Sequence, residues 1–165
     1  MSTVLDQDTF RQAMTRFAAG VTIVTTVDEH AHAWGFTASA FASLSLEPPL
    51  VLVCLDACAN CHPSFSAAGR FAVNVLRPEH EPLARRFASK GVDKFGTGAF
   101  TPSASGLPVL PDALVVIECA SERRVPGGDH TILIGRVEDC RIGDGAPMIY
   151  YNRAFRRLAP GDMVQ

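Results

Sequence analysis

The sequence predicts a mainly β fold, an antiparallel barrel with a few short flanking helices. Two observations carry this. Six or seven β-branched, apolar segments follow one another through short polar or glycine-rich turns, an order that favours antiparallel pairing over a parallel α/β sheet. No G-x-G-x-x-G follows a first strand and no G-x-x-x-x-G-K-[ST] occurs anywhere, so neither a Rossmann site nor a P-loop is expected. The chain has 165 residues, a length that suits one domain spanning 1–165 around a single core.

At the amino end, Asp6 and Asp8 stand where a helix would begin. Leu5, Phe10, Met14 and Phe17 recur at near-helical spacing, which predicts a first helix closing near Gly20. Val21–Val27 is dense in β-branched residues and reads as a strand. Residues 28–33 supply a polar turn, and Trp34–Phe41 reads as the returning strand of a hairpin. Glu47-Pro48-Pro49 breaks the chain, and the apolar run "LVLVCL" after it is a buried strand. "NCHPSFSAAG" starts a short helix closed by Gly69. "RFAVNVL" is a strand with Phe71, Val73 and Val75 on one face, and "EHEPLARRFAS" a helix that turns Leu83 and Phe87 inward. Residues 91–112, rich in Gly, Pro, Ser and Thr, form the longest irregular stretch, and long loops in compact domains usually serve a function. "ALVVIECASERRV", the turn "PGGD" and "HTILIGRVEDCRI" make a long hairpin, and "PMIYYNRAFRRL" supplies the last strand.

Composition excludes several classes. The hydrophobic fraction is 47%, the charged fraction 19% and the net charge -2, so no electrostatic footprint for nucleic acid is present. No apolar run is long enough to cross a bilayer. The first residues lack a basic stretch followed by an apolar one, so no export signal is expected, and the five cysteines read as reduced thiols of a cytoplasmic protein. Cys58, Cys61 and His62 spell C-x-x-C-H, the attachment pattern of c-type haem. The missing export signal and the lack of an evident distal methionine speak against a cytochrome. His30-x-His32 offers two metal ligands without a third, so no metal site is expected.

Four stretches could carry chemistry. "GFTASAFASLSLEPP" sets Thr37, Ser39, Ser43 and Ser45 among alanines, which lets a ligand approach the backbone and meet neutral donors. Asn60 and Ser64 near a helix start fit a phosphate contact or a plain N-cap equally well. Asp129 and His130 follow two glycines that leave room for a ligand. Tyr150, Tyr151 and Arg153 offer stacking and a cation, or a packing cluster at an interface.

Together the pieces "FAAGVTIVTT", "GFTASAFASLSLEPPLVLVCL", "ANCHPSF", "GRFAVNVL", "LARRFAS", "DKF", "GGDHTILIGRVEDC" and "YYNRAF" resemble the short-chain flavin reductases, the reductase components of two-component flavin-dependent monooxygenases. The likeness runs in family order from about residue 8 to 158. It implies an FMN-binding split barrel, pairing as a homodimer with Phe41, Ile149 and Phe155 near the subunit boundary. It implies hydride transfer from NADH (NADPH remaining possible) to FMN or FAD, and delivery of reduced flavin to a partner monooxygenase. A flavin-binding module that stores or senses flavin without turnover is the alternative.

The resemblance also assigns residues. Thr37, Ala38, Ser39 and Ala40 would lie at the isoalloxazine edge, with Ser43, Leu44 and Ser45 close by. Cys54, Leu55 and Asp56 would follow the flavin along the next strand. Asn60, Cys61 and Ser64 would approach its ribityl and phosphate end, Cys61 standing where the family commonly has serine. Ser89, Lys90, Asp93, Lys94 and Phe95 would form a loop over the cofactor. His130 would meet the nicotinamide nucleotide, helped by Tyr150 and Arg153. Arg123 and Arg124 could meet a 2′-phosphate. The C-x-x-C-H letters are then the ordinary flavin-phosphate connection with one serine replaced.

Overall fold

A computed structural model describes residues 5–159 and 161. In chain order the elements are α1 (Gln7–Thr15), β1 (Ala19–Gly20), β2 (Thr22–Val27), β3 (Ala33–Ala38), β4 (Phe41–Ser45), β5 (Leu50–Asp56), α2 (His62–Ala67), β6 (Arg70–Val75), a 3-10 turn at Pro78–His80, and α3 (Glu81–Ala88). There follow β7 (Thr101–Pro102), β8 (Pro108–Val109), β9 (Val115–Gly127), β10 (His130–Ile142), β11 (Ile149–Tyr151) and β12 (Ala154–Arg156). The mainly β expectation is met.

Seven strands make one sheet in the order β3-β2-β6-β9-β10-β5-β4, with antiparallel neighbours throughout. The two edges, β3 and β4, are consecutive in the chain and only Ser39 and Ala40 join them. Such a link spans at most about 11 Å between Cα atoms, so the sheet must curl until its edges approach. Among the described residues no ladder pairs β3 with β4, so the curl stays open. This corrects the expected strand Trp34–Phe41. The chain leaves β2 after Ala38, opposite Thr22, and joins β5 at Phe41, opposite Val53.

Each face of the sheet carries a core. Phe36, Val53, Leu55, Phe65, Phe71 and Leu133 fill one side, and Ile23, Leu76, Phe87, Leu110 and Met148 the other. Strand β6 runs between them, so Phe71, Ala72, Val73 and even Asn74 are buried. Asn74 is satisfied there: its amide donates to Ile23 O at 3.0 Å and its oxygen accepts the Leu110 N–H at 2.8 Å. That bond ties the irregular stretch 91–112, which holds only the β7–β8 pair, to the outer face.

Helix α1 starts where the sequence places it. Asp6 Oδ2 accepts the Thr9 N–H at 3.1 Å as an N-cap. It ends at Thr15, before Gly20, because Ala19 and Gly20 pair with Tyr150 and Ile149 of β11. No residue of α1 is buried, and the apolar stripe of Phe10, Met14 and neighbouring Phe17 is exposed.

Candidate active site: a cleft along the open edge of the sheet

The gap left by the open curl is a cleft of about 580 Å³. One wall is the free edge of β3, from Ala33 to Thr37; the other is the end of β5, Cys54 to Asp56. Asn60 and Cys61 close one end, the segment from Phe87 to Phe95 covers the top, and His130 looks in from the start of β10. An edge strand keeps half its backbone N–H and C=O groups unpaired. Here that edge, from Ala33 to Thr37, lines a cavity.

The covering segment is anchored at one end. Lys94 Nζ donates to Phe87 O at 2.8 Å and to Gly35 O at 3.1 Å. Burial lowers the pKa of this half-buried ammonium. Asp93 Oδ1 accepts the N–H groups of Phe95 and Gly96 at 3.2 and 3.0 Å, and Arg86 donates to Asp93 O. The Phe95 ring packs edge-on to Phe87, centroids 5.0 Å apart, and against Phe100. Residues 89–92 are exposed, and Gly91 takes φ +70°.

Across the cleft, Cys61 is buried at the start of α2 and makes no side-chain cap. Burial pushes its thiol pKa up, and the Lys94 charge pulls it partly back, so the group facing the cleft is a neutral thiol. His130 pairs with its neighbour: Nδ1 lies 2.7 Å from Asp129 Oδ1. A carboxylate only accepts, so Nδ1 carries the proton and Nε2 is left for a ligand. The same bond holds the Asp129 carboxyl below its ordinary pKa.

Two grooves adjoin. A side cleft of about 620 Å³ shares Thr37, Ala88 and Ser89 with the main one and adds Val21, Ser39, Arg85, Tyr150, Arg153 and Phe155. A third groove, about 870 Å³, runs under α1 along Phe10, Met14, Phe17, Ala40, Phe41 and Leu52.

The structure thus gathers Thr37, Cys54, Leu55, Asp56, Asn60, Cys61, Ser89, Lys90, Asp93, Lys94, Phe95 and His130 at the main cleft. Ser39, Tyr150 and Arg153 line the side cleft, and Ala40 the third groove. Five expected residues line none of the three. Ala38 is buried in the inner core. Ser43, Leu44 and Ser45 lie on β4, carried to the opposite edge by the break after Ala38. Ser64 sits within α2. Arg124 is committed elsewhere, donating to Phe65 O and Ala68 O at the end of α2. Among the described residues no cluster could hold a metal ion, and no helix is long and apolar enough to cross a membrane.

Trp34, Gly35, Phe36, Ala59, Phe87 and Val92 line the main cleft without having been singled out. Gly35 had a legible signal, a glycine inside a strand. A Cβ there would meet Phe87 Cε1 at 2.7 Å, so the glycine lets α3 pack directly on β3.

A family model described as "Flavin reductase like domain" matches residues 14–159. The chain is 48% identical over 154 residues to the actinorhodin polyketide dimerase of Streptomyces coelicolor, covering 93% of this chain and 87% of that one. It is 36% identical over 163 residues to the reductase subunit HsaB of a flavin-dependent monooxygenase of Mycobacterium tuberculosis, covering 97% of this chain and 87% of that one. Among solved structures, the NADH:FAD oxidoreductase SgcE6 of Streptomyces globisporus, in complex with NAD and FAD fragments, superposes with a TM-score of 0.88 at 38% identity, over 94% of each chain. With the match spanning most of the chain, and these relatives beside it, the chain belongs to the flavin reductase like domain family.

Proposed function

We propose that the main cleft receives a flavin and then a reduced nicotinamide nucleotide, so that the protein passes hydride from NADH to FMN or FAD and supplies reduced flavin to a partner monooxygenase. The observation that carries this reading is the cleft on the free edge of β3. A tricyclic ring edged with alternating donors and acceptors matches a run of unpaired strand N–H and C=O groups. The residues present fit such a group: Trp34, Phe36, Leu55, Phe87 and Phe95 offer apolar surface for a flat ring, and Asp56, Lys90, Asp93 and Lys94 bring two charges of each sign to its rim.

When bound together, the flavin and the nicotinamide supply the redox chemistry themselves, a hydride leaving the pyridine ring for the flavin with both electrons of its C–H bond. The protein's part is orientation and exclusion of water. The β3 edge would hold the ring, with Thr37 itself held by its Oγ1 bond to Ala84 O at 2.6 Å. Leu55, Trp34 and Phe95 keep the contact dry. His130, fixed by Asp129, offers Nε2 to the nucleotide as an orienting group. Cys61, buried at the start of α2, would meet the ribityl and phosphate end, where a thiol would bind more weakly than a hydroxyl.

The open curled sheet is, in this reading, the split barrel of the family. The molecule works as a homodimer: α1 buries nothing of itself, and its apolar stripe with Phe41 and Leu52 makes a groove suited to a second copy. Sedimentation velocity at micromolar concentration checks this, a monomer contradicting it. The free thiols suit a reducing compartment such as the cytoplasm.

Steady-state NADH and NADPH oxidation with riboflavin, FMN and FAD in turn tests the activity. Turnover that depends on added flavin is expected. Flavin held tightly and never reduced would replace the reductase by a storage or sensor protein. His130→Ala is expected to raise the KM for NADH more than that for flavin; an unchanged nucleotide KM removes His130 from the site.

A further inference from the structure

We propose that His62 is a positioning residue for the reductase: its bond to Thr131 holds the base of the β9–β10 hairpin, and so sets the direction in which His130 faces the cleft. The role rests on the reductase reading only in taking a nicotinamide nucleotide as the ligand of His130.

The C-x-x-C-H run places only Cys61 at the main cleft, and His62 lines none of the three cavities. Its ring is nonetheless held from two sides. Nε2 lies 2.9 Å from Thr131 Oγ1, and Nδ1 lies 3.4 Å from Ser66 Oγ, one turn further along α2. A hydroxyl donates or accepts, so the Thr131 bond forms with either neutral tautomer of the ring. Thr131 is the residue after His130 on β10.

The hairpin has little else to fix its angle to the body of the protein. Residues 126–129 at its tip are exposed and include Gly127 and Gly128, which restrain the backbone least. Helix α2 supplies the fixed point: Phe65 is buried and packs edge-on to Phe36, centroids 5.0 Å apart. Arg124 of β9 donates to Phe65 O and Ala68 O near the end of this helix, and Thr131 of β10 meets His62 at its start. Both strands of the hairpin are thus clamped to one helix, and the Ala57 N–H donates to Asp129 O at 3.0 Å beside them.

Successive side chains of a strand point to opposite faces. Thr131 therefore shares a face with Leu133, which is buried in the inner core, and His130 takes the other. Holding the Thr131 side chain fixes the roll of the strand and with it the direction of its neighbour. Asp129 orients the His130 ring, and His62 sets where that pair stands.

Thr131→Val keeps the β-branched shape and removes the hydroxyl. It is expected to raise the KM for NADH about three- to tenfold, the effect of one lost hydrogen bond, and to leave the flavin dissociation constant within about twofold. His62→Leu is expected to act alike, with the double variant no worse than either single one. Thr131→Ser and His62→Gln keep a polar group within reach and are expected to hold the KM within about twofold. In a His130→Ala background, Thr131→Val is expected to raise the KM no further. Imidazole proton–nitrogen correlation spectra add a readout that needs no turnover. The His130 ring signal, identified by its loss in His130→Ala, is expected to shift in Thr131→Val and to stay in place in Thr131→Ser.

A KM for NADH that moves by less than about twofold in Thr131→Val overturns the proposal. So does a rise of the same size with His130 already replaced, or a His130 signal that does not shift. Where His62→Leu fails to fold, the Thr131 variants carry the test. A His130 signal that shifts in a protein that never oxidises NADH sinks the reductase reading and leaves the clamp standing. Flavin-dependent turnover whose KM for NADH ignores Thr131 does the reverse.

Discussion

Replacing Lys94 by methionine separates the anchor of the covering segment from its packing. The stem is kept, and only the ammonium is lost. Its two acceptors differ in kind: Phe87 O belongs to the last turn of α3, where carbonyls have no helical partner, and Gly35 O projects from the free edge of β3. One cation thus ties the segment to both. A hydrogen bond from a charged donor contributes roughly 1.5–3 kcal/mol, and a typical one about half that. Lys94 is only half-buried, so water replaces part of each bond, and burying the ammonium has its own cost, visible in its lowered pKa. Two bonds of about 0.5–1 kcal/mol each then give a loss of about 1–2 kcal/mol, a fall in Tm of roughly 2–8 °C for a domain of this size. Freed from its anchor, the segment must also be ordered when ligand binds, so flavin affinity should fall several-fold. Urea unfolding followed by fluorescence and a flavin titration measure the two effects. A stability loss below about 0.5 kcal/mol, or a larger one with unchanged flavin affinity, refutes the anchoring role assigned to Lys94.

Gly135→Ala should be worse: the new Cβ would lie 2.5 Å from Phe71 Cζ and 2.7 Å from Cys119 Cβ, both in the inner core. A loss of about 3 kcal/mol or more in urea unfolding is expected, and a loss below about 1 kcal/mol would mean the core yields there. The Asp28 carboxyl is held at about 2, chiefly by the bond from Trp34 Nε1 at 2.9 Å. A depressed carboxyl pKa contributes stability above its unfolded value of about 3.9 that disappears as pH falls through the folded value. Asp28→Ala should therefore flatten the acid limb between about pH 4 and 2, read at Trp34, the one tryptophan of the chain; an unaltered limb argues against it. Of the thiols, exposed Cys58 and Cys140 should react quickly with an aromatic disulfide in the native protein. Buried Cys119, its pKa pushed up to about 12 by desolvation, should wait for denaturant. Rapid native labelling of Cys119 would show that the inner core opens.

What was legible in the sequence was local. The hairpin of β9 and β10 follows from two long β-branched runs around "PGGD", and the sequence places Asp6 at the start of α1. The missed break after Ala38 has no local signature. "WGFTASAF" continues without Gly or Pro at Ser39–Ala40, and whether a strand keeps its partner is decided by β5, which accepts Phe41 opposite Val53. That one crossing removed Ser43, Leu44 and Ser45 from the cleft. Phe87 and Trp34 were hard to find for another reason: aromatic residues in a helix or strand read as core, and both are indeed packed against it while presenting a face to the cavity. Composition marked residues 91–112 as a long loop, but the cofactor role of Ser89 to Phe95 came from the family resemblance, because nothing in the spacing says that Lys94 turns back to Gly35.

The crossing that hid those residues also accounts for where the cavity lies. A sheet whose two edges are consecutive strands joined by two residues must bring those edges together, yet among the described residues no ladder pairs β3 with β4, and the edge of β3 stays open. An uncovered edge invites pairing with another chain, and natural sheets cover or blunt it. Here α3 packs on β3 through Gly35, and Lys94 caps one of its carbonyls. That protection is partial, and the rest of the edge, from Ala33 to Thr37, lines a cleft. A flat ligand with donors and acceptors on its rim satisfies the free backbone groups there without becoming a permanent strand, which suits a site that must release what it binds.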